Sequence, residues 1–394
     1  DAYMHIGGDE NEGKQWDRNP KIQAFMKEKG IKNNHALQAY FNQRLLKILQ
    51  KHGKKMIGWD EVLQPELPKD VVIHSWRGSA SLAEAAKKGY DGILSAGYYI
   101  DLMYPASDHY RADPIPADST LTPEEAKHVL GGEATMWGEW VSPETIDSRI
   151  WPRTAAIAER LWSPRTVVDI SDMYRRLNVI SLQLEELGLD HKRNHDMLLR
   201  RLARSEDIVP LRTLASIVEP VKEYRRYQVR PQMMLSPLTG LVDAVPPDSD
   251  AARSFTLMVD GLLSDAPRFQ LYREELNKVL ADWHDSSVTL EPIINRAPAL
   301  EEARQLARDL SDIGDTGLEA ISYLKLGSAP TIQWRDAQLA KLDEAAKPKA
   351  ALEFVIIPSV RKLVVAAAEL PQLKSMTASD WNRRVTTLAS PPKK

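Results

Sequence analysis

The chain has 394 residues, of which 43% are apolar and 27% charged, with no cysteine and 52 basic against 55 acidic side chains for a net charge of −3. Without cysteine, disulfides, thiolate catalysis, cysteine-bound zinc and iron–sulfur clusters are excluded. The even charge balance gives no electrostatic case for a nucleic-acid partner, and no apolar run of about 18 residues predicts a membrane span. At about 150 residues per domain, the length suggests two or three domains.

The chain begins at Asp1 and runs at once into an apolar stretch, Tyr3 to Gly8, read as a strand. Residues 34–51 carry Leu37, Tyr40, Phe41, Leu45, Ile48 and Leu49 on one helical face. Further short strands are expected at 55–59, 71–76, 92–95 and 129–134. Between the strands at 71–76 and 92–95 lies a short helix at 81–88, with Ser81 as its expected N-cap and Gly89 as its stop. A long helical stretch follows from about Pro143.

Short apolar strands alternating with helices predict an α/β fold with a parallel sheet. Each strand ends in acidic, aromatic or glycine residues, and in a parallel barrel those ends share one face, where catalytic loops gather. Only five strands are visible where a (β/α)8 barrel has eight. The expectation is therefore a partial (β/α)8 TIM barrel, about strands 4 to 8, with three strands placed ahead of Asp1. An all-α region is expected after it.

Composition shifts along the chain. Thirteen of the 19 glycines lie in the first 138 residues, and seven of the ten tryptophans in the first 162. Beyond that, helix-like apolar repeats run over 198–215, 251–283, 300–324 and 350–370, and residues 231–247 hold four prolines. The expected organisation is a barrel portion at 1–200, a helix and linker at 201–247 and a helical domain at 248–394, with the end at 391–394 frayed.

The sharpest chemical signal is His5-Ile6-Gly7-Gly8-Asp9-Glu10. Gly7 and Gly8 permit a tight turn and leave room for a ligand near the backbone. Adjacent carboxylates suit acid/base work, because the charge on one favours a proton on its neighbour. A pair of acids on a loop is by itself more often just solvated. Four other strand ends shift that balance: Gly58-Trp59-Asp60-Glu61, His74-Ser75-Trp76, the run from Ser95 to Leu102, and the run from Gly131 to Glu139.

These five ordered blocks resemble glycoside hydrolase family 20, the β-N-acetylhexosaminidases, over about residues 1–187. The resemblance implies an exo-acting enzyme that removes terminal N-acetyl-β-hexosamine from an oligosaccharide or glycoconjugate. It implies a retaining, substrate-assisted reaction through an oxazolinium intermediate, with no enzyme nucleophile and no cofactor or metal. By position, Glu10 is implied as the general acid and then base, Asp9 as the group that orients the acetamido N–H, and Tyr99 as the donor to the acetamido oxygen. Trp59, Trp76 and Trp137 are implied as sugar-binding walls, and Asp101 and Glu139 as acids that bind hydroxyls. The family's substrate-binding arginine belongs to the first barrel strand, which this reading places ahead of Asp1. A periplasmic or secreted location is also implied.

The remaining candidates are weaker. His191 and His195 stand at i, i+4, yet H-E-x-x-H is absent and basic residues flank them, so they read as a solvated face rather than a metal site. His5 and His74 read as structural, Glu133 as a rim acid, and Asp60 with Glu61 as loop groups supporting the site. No phosphate-cradling or serine-hydrolase motif is present. Two alternatives stay open: a sugar-binding module without turnover, and a scaffold whose helical half mediates interactions. The sequence leaves the oligomeric state open.

Overall fold

The computed structural model describes residues 1–64, 67–229, 231–233, 235–264, 269–373 and 375–390. Residues 391–394, where a frayed end was expected, lie outside that set. Contacts divide the chain into two compact units. The first is 1–100, 106–137 and 153–178; the second is 101–105, 138–152 and 179–394.

The first unit is an α/β layer built on five parallel strands: β1 (Tyr3–His5), β2 (Lys55–Trp59), β3 (Val72–Ser75), β4 (Gly92–Leu94) and β5 (Val129–Gly132). They stand in the sheet in sequence order, β1-β2-β3-β4-β5, with β1 and β5 at its edges. His5 faces Ile57, Trp59 faces His74, Ser75 faces Leu94, and Leu94 faces Gly132 in register. Because all strands run the same way, all five carboxyl ends lie along one edge of the sheet.

The strands alternate between two environments, as the period of two requires. Met56 and Ile73 pack outward with Val62, Leu46, Ala85 and Tyr90 in one apolar cluster. Tyr3, His5, Ile57, Trp59 and His74 point the other way, into a cavity. The Asn34–Lys51 helix starts as its sequence dictates, with the Asn33 side chain accepting from the Ala36 N–H at 2.8 Å. The next helix differs from expectation. It spans Ser79–Lys87 with Gly78 at its N-cap, while the Ser81 hydroxyl donates to Asp60 at 2.6 Å. The better acceptor, a buried carboxylate, has taken the serine away from capping.

The helical stretch expected from about residue 143 is broken into Ile146–Ile150, Arg153–Trp162 and Ile170–Glu186. Pro152 and Pro164 fall at the breaks, where each removes a backbone donor.

The second unit is mainly helical. Its longest helix, Arg304–Leu326, buries Leu306, Leu310, Ile313, Ala320 and Ile321. The apolar core also takes in Leu276 and Leu280 from Phe269–His284, and Val360, Leu363 and Val364 from Ile357–Ala368. The stretch 201–247 contributes Leu211, Leu214, Val218, Val221 and Leu241 to the same core. The repeat over 198–215 is two helices, Arg193–Ala203 and Val209–Ala215, parted by Arg204 in the left-handed region (φ 51°). Residues 251–283 are likewise divided between Asp250–Ser264 and Phe269–His284.

One expectation is corrected: the region is not all-α. Strand β6 (Val218–Pro220) pairs antiparallel with β7 (Leu352–Phe354). Glu219 and Glu353 sit opposite each other, and each has its own cation, Lys222 for the first and Arg225 for the second. Those ion pairs offset the like-charge repulsion that such a pair would otherwise carry. Among the described residues, no helix is long and apolar enough to cross a membrane.

Candidate active site

A cavity of about 590 Å³ lies on the inner face of the parallel sheet, lined among others by Tyr3, His5, Trp59, His74, Glu133, Thr135 and Trp137. Its walls are aromatic. The Trp59 indole lies 4.2 Å from the His74 ring, 4.7 Å from His5 and 6.1 Å from Trp137, centre to centre. His5 and His74 are thus more than strand filling, because they form part of the wall beside Trp59. The His5 Nδ1 accepts the Gly7 N–H at 3.0 Å, which leaves Nε2 to carry the proton of the neutral ring. Burial lowers the pKa of both rings, with that of His74 down to about 4, while Asp9 pulls that of His5 partly back up.

The loop after β1 presents Asp9 and Glu10, both exposed. Gly7 (φ 72°) and Gly8 (φ 103°) take conformations that side chains rarely adopt, and a Cβ on Gly8 would lie 2.9 Å from Val62 Cγ1. Gln38, from the helix behind, donates to the Gly8 carbonyl at 2.6 Å and pins the turn. Glu10 itself has φ 49°, a left-handed conformation that costs a non-glycine residue about 1 kcal/mol or more. Strain of this kind persists where the surroundings hold a side chain in a required direction.

Tyr99 follows β4 and forms an isolated parallel bridge with Thr135, a cavity residue, while its hydroxyl accepts from Ser95 Oγ at 3.5 Å. The preceding residue, Tyr98, is the packing member of the pair. Its ring is buried and its hydroxyl donates to the Ala112 carbonyl at 3.1 Å. Gly132 is small because a Cβ there would lie 2.6 Å from the Tyr98 ring.

Trp76 follows β3 and is held from below. The buried Asp60 carboxylate accepts the Trp76 and Arg77 N–H groups at 2.9 Å each, along with the hydroxyls of Ser75 and Ser81. Glu61 accepts the Trp76 indole N–H at 3.2 Å and pairs with Arg77 at 2.8 Å. These two acids support the loops rather than face the cavity.

The first unit therefore assembles Trp59 and Trp137 in the cavity wall, with Asp9, Glu10, Trp76 and Tyr99 at the same carboxyl edge of the sheet. Asp101 and Glu139 belong to the second unit, the former buried and the latter exposed. Glu133 lines the cavity, and burial raises its carboxyl above the usual range. The histidine pair at 191 and 195 does not form the solvated face expected of it. His191 is buried against Ser181 Oγ at 2.7 Å, and His195 Nδ1 meets the Ala244 carbonyl at 2.7 Å.

Carboxylates that can move protons and indoles that can cover an apolar sugar face are thus gathered at the carboxyl edge of a parallel sheet. Residues 1–165 match the model of glycosyl hydrolase family 20, catalytic domain. The β-hexosaminidase subunit beta of Rattus norvegicus is 37% identical over 198 residues, covering 48% of this chain and 36% of the relative. A β-hexosaminidase of Porphyromonas gingivalis is 29% identical over 304 residues, covering 70% of this chain and 38% of the relative. The chain thus spans less than half the length of these relatives. The solved structure of a Flavobacterium johnsoniae chitobiase superposes with a TM-score of 0.84 at 39% identity, covering 92% of this chain and 56% of that one. That match extends through the helical unit as well.

Proposed function

We propose that the chain is the catalytic part of a β-N-acetylhexosaminidase that removes a terminal, non-reducing N-acetyl-β-hexosamine with retention of configuration. The observation that carries this reading is the strained Gly7-Gly8-Asp9-Glu10 turn at the carboxyl end of β1, beside a cavity walled by Trp59 and Trp137. In the proposed reaction, the carboxyl of Glu10 gives its proton to the glycosidic oxygen as that bond breaks. The substrate's acetamido oxygen attacks the anomeric carbon, forming an oxazolinium ion. Asp9 accepts the acetamido N–H and balances the positive charge, and the Tyr99 hydroxyl donates to the acetamido oxygen and aligns it for attack. Glu10, now a carboxylate, takes a proton from water, whose oxygen opens the ring. Trp59, Trp76 and Trp137 cover the acetamido group and sugar face, while Asp101 and Glu139 accept from sugar hydroxyls.

The same reading takes the five sequentially ordered parallel strands as part of a (β/α)8 barrel, with the helical unit as its extension. It also carries the expectation of a periplasmic or secreted location.

The test is hydrolysis of an aryl N-acetyl-β-glucosaminide by the purified chain, with Glu10→Gln as control. Turnover is expected and should fall by about 10²- to 10⁴-fold in the variant, the usual worth of a general acid–base group. Equal turnover by both proteins would overturn the assignment of Glu10. Binding of N-acetylglucosamine without hydrolysis would favour the sugar-binding module instead.

A further inference from the structure

The peptide that joins Gly8 to Asp9 is held from outside the loop that carries it. Gln38, on the Asn34–Lys51 helix and 30 residues further along the chain, donates from Nε2 to the Gly8 carbonyl at 2.6 Å. A peptide group is planar, so fixing its oxygen also fixes the Asp9 N–H and the Asp9 Cα. Only the rotations beyond that plane remain to aim Asp9 and Glu10.

The rest of the turn is committed elsewhere. The Gly7 N–H goes to His5 Nδ1 at 3.0 Å, and the Gly7 carbonyl accepts the Trp59 N–H at 3.0 Å. Neither bond reaches the peptide after Gly8. The nearest wall is apolar: a Cβ on Gly8 would lie 2.9 Å from Val62 Cγ1, and Val62 is buried with Met56 of β2. Among the described residues, the bond from Gln38 is the polar contact made to this peptide.

The donor is itself rigidly placed. Gln38 is buried, as are Leu37, Asn42 and Leu46 on the same helix, and the Asn33 side chain caps that helix one turn earlier. Glu10, two residues after the held carbonyl, sits at φ 49°. A strained residue keeps its conformation only while its surroundings enforce it. Releasing the Gly8–Asp9 peptide therefore lets Glu10 relax and carries its carboxyl away from its place.

We infer that Gln38 is a positioning residue for Asp9 and Glu10, acting through the Gly8–Asp9 peptide. The inference rests on the proposed function for what those two acids do. Gln38 holds backbone and is not part of the cavity lining, so its effect falls on the chemical step rather than on binding.

The test is steady-state hydrolysis of an aryl N-acetyl-β-glucosaminide by the full chain and by its Gln38→Met and Gln38→Glu variants. Methionine matches glutamine in length and has no donor. Gln38→Met is expected to lower kcat by about ten- to one-hundred-fold, the cost of misplacing a reacting group by about 1 Å, with KM held within about two-fold. In Gln38→Glu the introduced carboxyl donates only when protonated. Its kcat relative to the native chain should be low at about pH 7.5 and recover toward about pH 5, while the Gln38→Met ratio stays level. Asp9 and Glu10 titrate in every variant, so these ratios isolate the introduced group. Thermal unfolding at both pH values checks that each variant is folded at the assay temperature, and if Gln38→Met does not fold, the Gln38→Glu ratio alone decides. Native kcat in Gln38→Met would overturn the inference, as would a rise in KM without loss of kcat, or a Gln38→Glu ratio that does not change with pH. Those results leave the hydrolysis by the native chain standing. No hydrolysis by the native chain would instead remove the reading of Asp9 and Glu10, and the role of Gln38 with it.

Discussion

The indole Nε1 of Trp76 donates a hydrogen bond to Glu61 Oε2 at 3.2 Å, so an acid fifteen residues upstream fixes the rotation of a ring proposed to cover the sugar. The neighbouring acid works on the backbone instead. Asp60 gathers the N–H groups of Trp76 and Arg77 and the hydroxyls of Ser75 and Ser81 around one buried carboxylate. Each of these contacts is a neutral N–H or hydroxyl donor, because the Arg77 guanidinium goes to Glu61 instead.

Asp60→Ala should therefore cost more than an ordinary surface change. It leaves two N–H groups and the Ser81 hydroxyl without their acceptor, a loss of about 3 kcal/mol, while the Ser75 hydroxyl still reaches the Gly78 carbonyl at 3.0 Å. Asp60→Asn keeps one oxygen but turns an NH2 toward donors, so its cost should be smaller yet measurable. Urea unfolding followed by tryptophan fluorescence reads both. Wild-type stability in Asp60→Ala would contradict the donor cluster.

Stability of the first unit should fall in mild acid. His74 is buried beside Trp59 and His5, with Asp60 the acid that acts on it, and burial lowers its pKa from the usual 6.5 to about 4. The unfolded chain therefore takes up a proton in the pH range where the folded one does not. The contribution is fully present above about pH 6.5 and is lost as pH falls toward 4, below which the slope from this group vanishes. His5 is lowered too and acts in the same direction. Denaturant midpoints at pH 7.5 and 4.5 should differ less in His74→Phe than in the native chain. An equal difference in both would show that other groups carry the acid sensitivity.

Much of this was legible from sequence, and the limits have physical causes. The five strands of the parallel sheet announce themselves as apolar runs closed by Gly, Trp or acid, and the family blocks fall on those closures. His5 and His74 were read as structural because a lone histidine in an apolar run gives no sign of which face it occupies. Their place in the cavity wall follows from strand parity, which puts His5, Trp59 and His74 on the same side. Gln38 carries no local signal at all; its role in pinning Gly8 needs the helix packed against the turn. The strands Val218–Pro220 and Leu352–Phe354 are three residues each, too short for a period of two to emerge. His191 was misplaced for another reason: its basic neighbours suggested solvent, while its own ring turns inward to Ser181.

In the second unit, Arg149 should be among the most sensitive positions. It is fully buried, and its guanidinium donates to the carbonyls of Val245 at 2.9 Å, Asp243 at 3.0 Å and Val242 at 3.4 Å. Those carbonyls close the short Leu241–Ala244 helix, whose last acceptors have no partner within the helix. Arg149→Met fills the volume but strands three acceptors, and should cost about 3–5 kcal/mol, the range for breaking a buried charged network. Arg149→Lys keeps the charge and reaches fewer carbonyls, so it should fall between. Thermal unfolding distinguishes them, and a methionine variant as stable as the native chain would refute the clasp.

The last prediction reverses a familiar sign. Glycine within a helix normally costs about 1 kcal/mol relative to alanine, so Gly314→Ala in Arg304–Leu326 would be expected to stabilise. Here the added Cβ would sit 2.4 Å from the His284 N and 2.7 Å from the Leu280 carbonyl oxygen. Both atoms are backbone, so no rotamer change relieves the contact, and the Phe269–His284 helix must move away as a body. That movement would open the packing around Leu276, Leu280 and Ile313 and should outweigh the propensity gain, for a net loss of about 1–3 kcal/mol. Gly261→Ala provides the comparison, since the three atoms nearest its Cβ all belong to the Tyr272 ring, at 2.6–3.1 Å, and a side chain can turn aside. Chemical denaturation should rank Gly314→Ala below Gly261→Ala. A stabilised Gly314→Ala would mean that the two helices stand further apart than their glycine contact requires.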